Sequence, residues 1–199
     1  GDNHPFQVGE EIDAINYLTE QFNTVARQEL ESVVRIQKFL RGCANAVGNH
    51  VFEWTTPSGF KVVQGLTKTK RLDCRTIVGN VSTMVHLYDD IDEIDPKQQR
   101  RSVTANFIHG IDAAVVHRLA YDMPYAMGFV HDCFICHASN ARKVHQDVRK
   151  TYKNFFSIDL LAEFRCELLN QPPTAKLPEL PELGDLDVTA IDRAMYLLS

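Results

Sequence analysis

Two short apolar runs, Gly128-Phe129-Val130 and Cys133-Phe134-Ile135-Cys136, flank a single polar pair, His131-Asp132. Burying an ionised carboxylate inside such a run costs several kcal/mol or more unless it is paired or binds a metal. Asp is also common at the bend of an ordinary hairpin. Both readings therefore stand on this stretch alone: a turn residue, or an acid projected from a strand–turn–strand tip toward a divalent cation. A lone carboxylate grips Mg²⁺ poorly, since that ion usually takes one or two carboxylates and completes its octahedron with water and substrate phosphates. A two-metal phosphoryl-transfer site would need a second Asp. Asp112, three residues after His109 on a helical segment, is one possible partner, although its simplest role is a helix-surface residue.

Other arrangements carry weaker chemistry. Cys133-Phe134-Ile135-Cys136-His137 fits the C-x-x-C-H spacing of haem attachment. On a strand, however, an offset of three puts the two sulfurs on opposite faces, which also defeats zinc ligation. Cys43, Cys74 and Cys166 sit among apolar neighbours and are expected in the core. His86, His117 and His145 read as ordinary surface or core histidines, and Trp54 as a hairpin packing residue. The acidic run from Asp89 to Asp95 lacks the Gly and ligand spacing of an EF-hand and reads as a solvated connector.

The elements that must position these groups follow from periodicity. Residues 10–47 read as one long helix, with apolar residues from Ile12 to Leu40 every three to five positions and Gly48-Asn49 as the stop. Residues 51–63 form a hairpin around Pro57-Ser58-Gly59, and 72–86 contains more strand-like material. Helices are expected over 104–121, 139–152 and 159–169, with a proline-limited tail and a short final helix over 188–197. The order predicts an α+β fold in which an antiparallel sheet is backed by helices. Residues 1–9 read as an N-terminal extension and 10–199 as one unit, a length ample for a single buried core.

Composition is that of a globular protein, 44% apolar and 24% charged, with a net charge of −5. The sum is the wrong sign for a nucleic-acid binder, but the distribution is uneven. Bases gather at Lys61–Arg75, at Lys97, Arg100 and Arg101, and at Arg142–Lys153; acids gather at Asp89–Asp95 and in the last forty residues. A phosphate-tracking face beside acidic outer faces would give this pattern, as would a generic solvated surface. The N-terminus has neither a basic region nor an apolar core, and no run is long enough to cross a bilayer. Five scattered cysteines suit a reducing compartment. A cytoplasmic protein without a membrane anchor is expected.

Four strings in order resemble one family. Lys97-Gln98 through Asn106-Phe107-Ile108-His109-Gly110-Ile111-Asp112, followed by Gly128 to Cys133, looks like the palm of single-subunit RNA polymerases of the bacteriophage type. Trp54-Thr55-Thr56-Pro57-Ser58-Gly59-Phe60 resembles a segment that precedes these strings, and Leu177-Pro178-Glu179-Leu180-Pro181 with Gly184-Asp185-Leu186 resembles the family's C-terminal segment. The likeness spans roughly residues 15–199; Cys133 and Gly110 stand where Ser is usual. It implies polymerase palm-like antiparallel hairpins packed against helices, lacking part of the complete palm.

The resemblance makes Asp132 one of two carboxylates holding a pair of Mg²⁺ ions, with His131 beside the RNA 3′ end. His109, with Asn106 near it, would meet the nucleic-acid minor groove there. Lys68, Lys70, Arg100 and Arg101 are expected backbone contacts on charge grounds. Implied partners are a DNA template, the RNA product, ribonucleoside triphosphates and the remainder of the polymerase, in the same chain or a separate subunit. Nothing in residues 1–50 matches the family's other catalytic Asp or its nucleotide-contacting Lys and Tyr. The expectation is therefore the C-terminal part of a DNA-directed RNA polymerase, inactive alone. Alternatives are a non-catalytic assembly or nucleic-acid-binding module that completes a partner's active site, and a palm portion of a family A DNA polymerase, against which Cys133 speaks. A His-Asp phosphohydrolase would need further His ligands and a helical setting.

Overall fold

The computed structural model describes residues 11–130, 133–172 and 176–194. The long N-terminal helix is divided into α1 (Glu11–Glu29) and α2 (Glu31–Val47). Leu30 leaves helical dihedrals, at φ −118° and ψ 39°. Hydrogen bonds still cross the break, from Leu30 N–H to Ala26 O and from Val34 N–H to Leu30 O, each 3.0 Å. Periodicity alone predicted one helix because neither Pro nor Gly marks this point. Burial marks it instead. α1 buries no residue, whereas α2 buries Phe39, Leu40, Cys43, Ala44 and Val47.

The α2 face packs on a hairpin, β1 (Phe52–Thr55) and β2 (Lys61–Gln64), paired antiparallel with Trp54 opposite Val62. Its turn uses Gly59 at φ 83°, a conformation that costs other residues a Cβ clash. Alternation turns Phe52 and Trp54 inward and leaves Glu53 and Thr55 outward. Trp54 meets the Phe164 ring edge-on at 5.4 Å, and Phe107 meets Phe164 at 5.1 Å. Phe164 belongs to α5 (Leu160–Leu169), which covers the free edge of β1. There the Glu167 carboxylate accepts from Thr55 N–H at 3.0 Å. Gln171 completes the cover: its Oε1 accepts from Glu53 N–H at 2.8 Å and its Nε2 donates to Glu53 O at 2.6 Å. Side chains thus satisfy backbone groups that a neighbouring strand would otherwise pair. The chain beyond 176 seals the other side, where a Cβ on Gly42 would meet Pro178 Cγ at 3.1 Å.

A long ribbon follows, β3 (Thr67–Val78) paired antiparallel with β4 (Val81–Ile94) and turned at Gly79, φ 64°. The acidic run expected as a connector is therefore largely strand. Asp89 lies opposite Lys70 and Asp90 opposite Thr69, so cross-strand pairing holds the acids in the ladder. Asp95 ends the run as an N-cap, its Oδ1 accepting from Lys97 N–H at 2.9 Å and Gln98 N–H at 3.1 Å. With Pro96 in the first turn, that cap starts α3 (Pro96–Asp122) eight residues before the expected Thr104.

The far half of α3 builds a second core. Ala114, Val115 and Leu119 pack with Val144, Val148 and Phe155 of α4 (Ala141–Phe156). Onto them folds the hairpin β5 (Met127–Val130) and β6 (Cys133–Cys136), contributing Met127, Phe129, Phe134 and Cys136. The α3–β5 loop is pinned by Tyr125, whose hydroxyl donates to Asp147 Oδ2 at 2.7 Å. Loss of solvent first, and then that hydrogen bond, push the Tyr125 phenol up to about 12. Behind α4, Arg149 donates to Ile191 O at 2.7 Å and Lys153 pairs with Asp192. The final helix expected over 188–197 is a 3₁₀ turn, Val188–Asp192, and residues after 194 lie outside the described residues.

The fold is α+β, as expected, but its six strands form three separate two-stranded sheets rather than one sheet among the described residues. Of the cysteines expected inside, only Cys43 is buried, and burial pushes its thiol up to about 12. Cys74 and Cys166 are exposed because one rides the projecting ribbon and the other the outer side of α5. Cys133 and Cys136 fall on opposite faces of β6, exposed and half-buried respectively, as strand geometry requires.

Phe164→Ala is expected to cost about 3–5 kcal/mol in urea denaturation, because it removes the ring shared by Trp54 and Phe107. Tyr125 favours its neutral form in the fold, so its contribution is present below the ordinary value of 10.0 and is lost as pH rises toward 12. Ultraviolet titration should show one late-ionising tyrosine, and Asp147→Asn should move that step to lower pH.

Candidate functional site

The β5–β6 hairpin is the platform on which the principal candidate depends. Each strand is only four residues long, and pairing runs from Met127↔Cys136 to Val130↔Cys133. A two-stranded hairpin this short is marginal in water without a packed face. Phe129 and Phe134 supply that face, ring to ring at 5.9 Å and edge-on, above Leu119, Val148 and Phe155. At the other end of the ladder Val130 is 55% exposed and Cys133 is exposed. His131 and Asp132, which link these two residues in the chain, lie outside the described residues.

The other candidates lie on the middle of α3. Asn106 is half-buried, and its Nδ2 donates to Gln64 Oε1 at 2.8 Å. Gln64, 1% exposed, donates in turn to Ser102 Oγ at 2.9 Å. Gln99, fully buried, donates to His50 O at 3.1 Å and leaves its Oε1 without a partner. These amides bracket α3 against β2 and the end of α2. Sequence reasoning passed over Gln64 and Gln99, although the alternation that turns Trp54 and Val62 inward also turns Gln64 inward.

His109, three residues after Asn106, shares its side of the helix and is exposed, as is Asp112. At 3.6 residues per turn, Arg100 falls about half a turn around α3 from His109, whereas Arg101 falls about a quarter-turn away. Both arginines are exposed, but they do not form one face with His109. Lys68 donates to Glu93 Oε2 at 2.7 Å. That hydrogen bond raises the Lys68 pKa and lowers that of Glu93, and since both side chains are open to solvent the pair adds little to stability. Lys70 lies opposite Asp89 on the ribbon. The basic run at Lys61–Arg75 is thus matched largely by acids on the adjacent strand.

Among the described residues no three His, Cys, Asp or Glu side chains gather closely enough to hold a metal. The donor chemistry available to Mg²⁺ at this hairpin is one hard carboxylate, Asp132. That fits an ion completed by substrate phosphates and a further carboxylate, not a closed protein cage.

Comparison with known proteins converges on one family. A family model described as DNA-dependent RNA polymerase matches residues 3–175. The chain is 27% identical over 166 residues to DNA-directed RNA polymerase 3, chloroplastic, of Nicotiana sylvestris, covering 81% of this chain and 17% of that protein. It is 26% identical over 181 residues to the mitochondrial DNA-directed RNA polymerase 1 of the same plant, covering 88% of this chain and 18% of that protein. With DNA-directed RNA polymerase 1A of Nicotiana tabacum it shares 26% identity over 157 residues, 77% of this chain and 99% of that protein. The chain spans less than a fifth of the length of the first two relatives. The match over nearly the whole chain establishes that it belongs to the single-subunit, bacteriophage-type DNA-dependent RNA polymerases.

Proposed function

We propose that this chain supplies part of the palm of a DNA-directed RNA polymerase and offers Asp132 to the catalytic Mg²⁺ ions. The observation that carries this reading is the placement of His131-Asp132 between two short strands whose apolar side is locked onto α3 and α4, within the segment that matches the family. Bound Mg²⁺ would supply charge neutralisation on the triphosphate and would activate the RNA 3′-hydroxyl. The chain's own residues do the holding. Asp132 fixes the ions relative to the hairpin, and His131 borders the RNA 3′ end. His109 and Asn106 line the minor groove of the template–product duplex near that end. Asn106 is held in orientation by Gln64. Lys68, Lys70, Arg100 and Arg101 meet phosphates farther out, a role that positions without reading sequence.

One carboxylate per pair of ions is too few, so the second comes from the remainder of the polymerase, in the same chain or a separate subunit. The 199-residue chain alone is then inactive. Substrates are ribonucleoside triphosphates, copied from a DNA template. No described helix is long and apolar enough to cross a membrane. The relatives are named as chloroplastic and mitochondrial enzymes. For a phage-encoded chain the compartment is the host cytoplasm.

Asp132→Asn in the complete polymerase is expected to abolish RNA synthesis while template affinity and thermal melting stay near wild type; near-normal turnover would refute the metal assignment. His109→Ala should weaken binding of an RNA–DNA hybrid with an unchanged melting temperature, because the side chain is exposed. Asn106→Ala should do both, lowering stability by about 1–3 kcal/mol as Gln64 Oε1 loses its donor.

A further inference from the structure

The β3–β4 ribbon sorts its side chains by chemistry. Its register sets Leu72 opposite Leu87, Cys74 opposite Val85 and Val78 opposite Val81, with a threonine pair between. Side chains alternate across a strand, so these residues share one face. The other face receives Arg71 opposite Tyr88, Asp73 opposite His86 and Arg75 opposite Met84. Charged groups there engage one another. Asp73 Oδ1 accepts from Arg71 Nε at 2.6 Å and lies 2.7 Å from His86 Nδ1, and Arg75 Nε donates to Ser82 Oγ at 3.0 Å. The first face carries no charge at all from Leu72 to Leu87.

Every residue of that uncharged face is exposed, Val78 to 65% and Val81 to 66%. A two-stranded ribbon is marginal in water by itself, and an apolar surface left open in this way marks a place where another body packs. Nucleic acid is a poor occupant, because its phosphates are held by cations. The nearest cation on this side, Lys70, stands opposite Asp89. A second copy of the chain is a poor occupant for a different reason. Seven residues per strand and two strands give a footprint of roughly 24 by 10 Å, about 240 Å². A stable dimer buries about 800 Å² on each partner, so this face alone falls well short. What suits the patch is an apolar protein surface already anchored elsewhere. The chain spans less than a fifth of the length of its chloroplastic and mitochondrial relatives, so a complete enzyme of that kind contains such a body.

We propose that the uncharged face of the β3–β4 ribbon docks an apolar protein surface of the remainder of the polymerase. The inference rests on the reading of this chain as one part of that enzyme. It adds where the two parts meet, and it leaves the charged face of the ribbon open.

Cys74 reports the docking directly, because its thiol belongs to this face and is exposed. The complete polymerase, free of nucleic acid, is treated with N-ethylmaleimide, and alkylation of the Cys74 peptide is followed by mass spectrometry. Cys74 should react at least about tenfold more slowly than after denaturation in guanidinium. In the 199-residue chain it should react near the denatured rate at every protein concentration. The thiol of a Ser82→Cys variant, on the charged face, should react readily in the complete enzyme. Leu72→Ser with Leu87→Ser should restore Cys74 reactivity, whereas Tyr88→Ser should not. Asp132→Asn should leave the protection unchanged, which separates a failure here from a failure of the metal assignment. The proposal is overturned if Cys74 in the complete enzyme reacts near its denatured rate, or if its protection needs added template DNA. It is equally overturned if the 199-residue chain protects Cys74 as its concentration rises, if both faces are protected alike, or if the paired serine variant keeps the protection.

Discussion

The packing of Phe129 and Phe134 onto Leu119, Val148 and Phe155 is the contact on which the functional reading depends. Eight strand residues cannot hold a hairpin in water by their own hydrogen bonds. Close-packed side chains beneath them convert a marginal turn into a fixed support, since interiors transmit displacement rather than absorb it. In the proposed site, a carboxylate sharing metal ions with a second one would tolerate little misplacement, so this small core would set the precision of that site.

α3 connects that core to the first one. Its 27 residues span about 40 Å, and its two halves bury different faces. Val103 and Phe107 face α2, Trp54 and Phe164, whereas Ala114, Val115 and Leu119 face the β5–β6 hairpin and α4. Asn106 sits within the first-core stretch of α3, between Val103 and Phe107, and His109 lies just beyond Phe107 toward the second core. The Gln64 and Gln99 brackets add direction to this apolar clamp, because amide hydrogen bonds specify a rotation about the helix axis that aliphatic contacts leave loose. Against this rigid body stand α1, with no buried residue, and the ribbon β3–β4, whose apolar residues remain open on both faces.

Much of this was legible from residue order. The alternation around Trp54, the stripe from Phe107 to Leu119 and the paired short runs around His131-Asp132 each name an element and its inward face. Local rules misjudged the places where partners far along the chain decide. Lys70 opposite Asp89 turns an apparent acidic connector into strand. Asp95 and Pro96 start α3 a full two turns early, a cap signal that was present but read as part of the loop. The break at Leu30 has no local marker at all, and the fate of Cys74 depends on a ribbon that projects instead of folding back. For the site, the motif strings nominate Asp132, His131, Asn106 and His109 by resemblance, but nothing in them shows that Asn106 is oriented by Gln64, or that Lys68 is already partnered by Glu93.

The central claim is that the tip of the β5–β6 hairpin holds divalent metal in the complete enzyme. Replacing Mg²⁺ with Fe²⁺ in a stalled, complete polymerase and mapping hydroxyl-radical cleavage of the polypeptide tests it most directly. Cuts within residues 130–133, lost on Asp132→Asn, are what the account requires. Cuts confined to the acidic strand at Asp89–Glu93, or a pattern indifferent to Asp132, would contradict it.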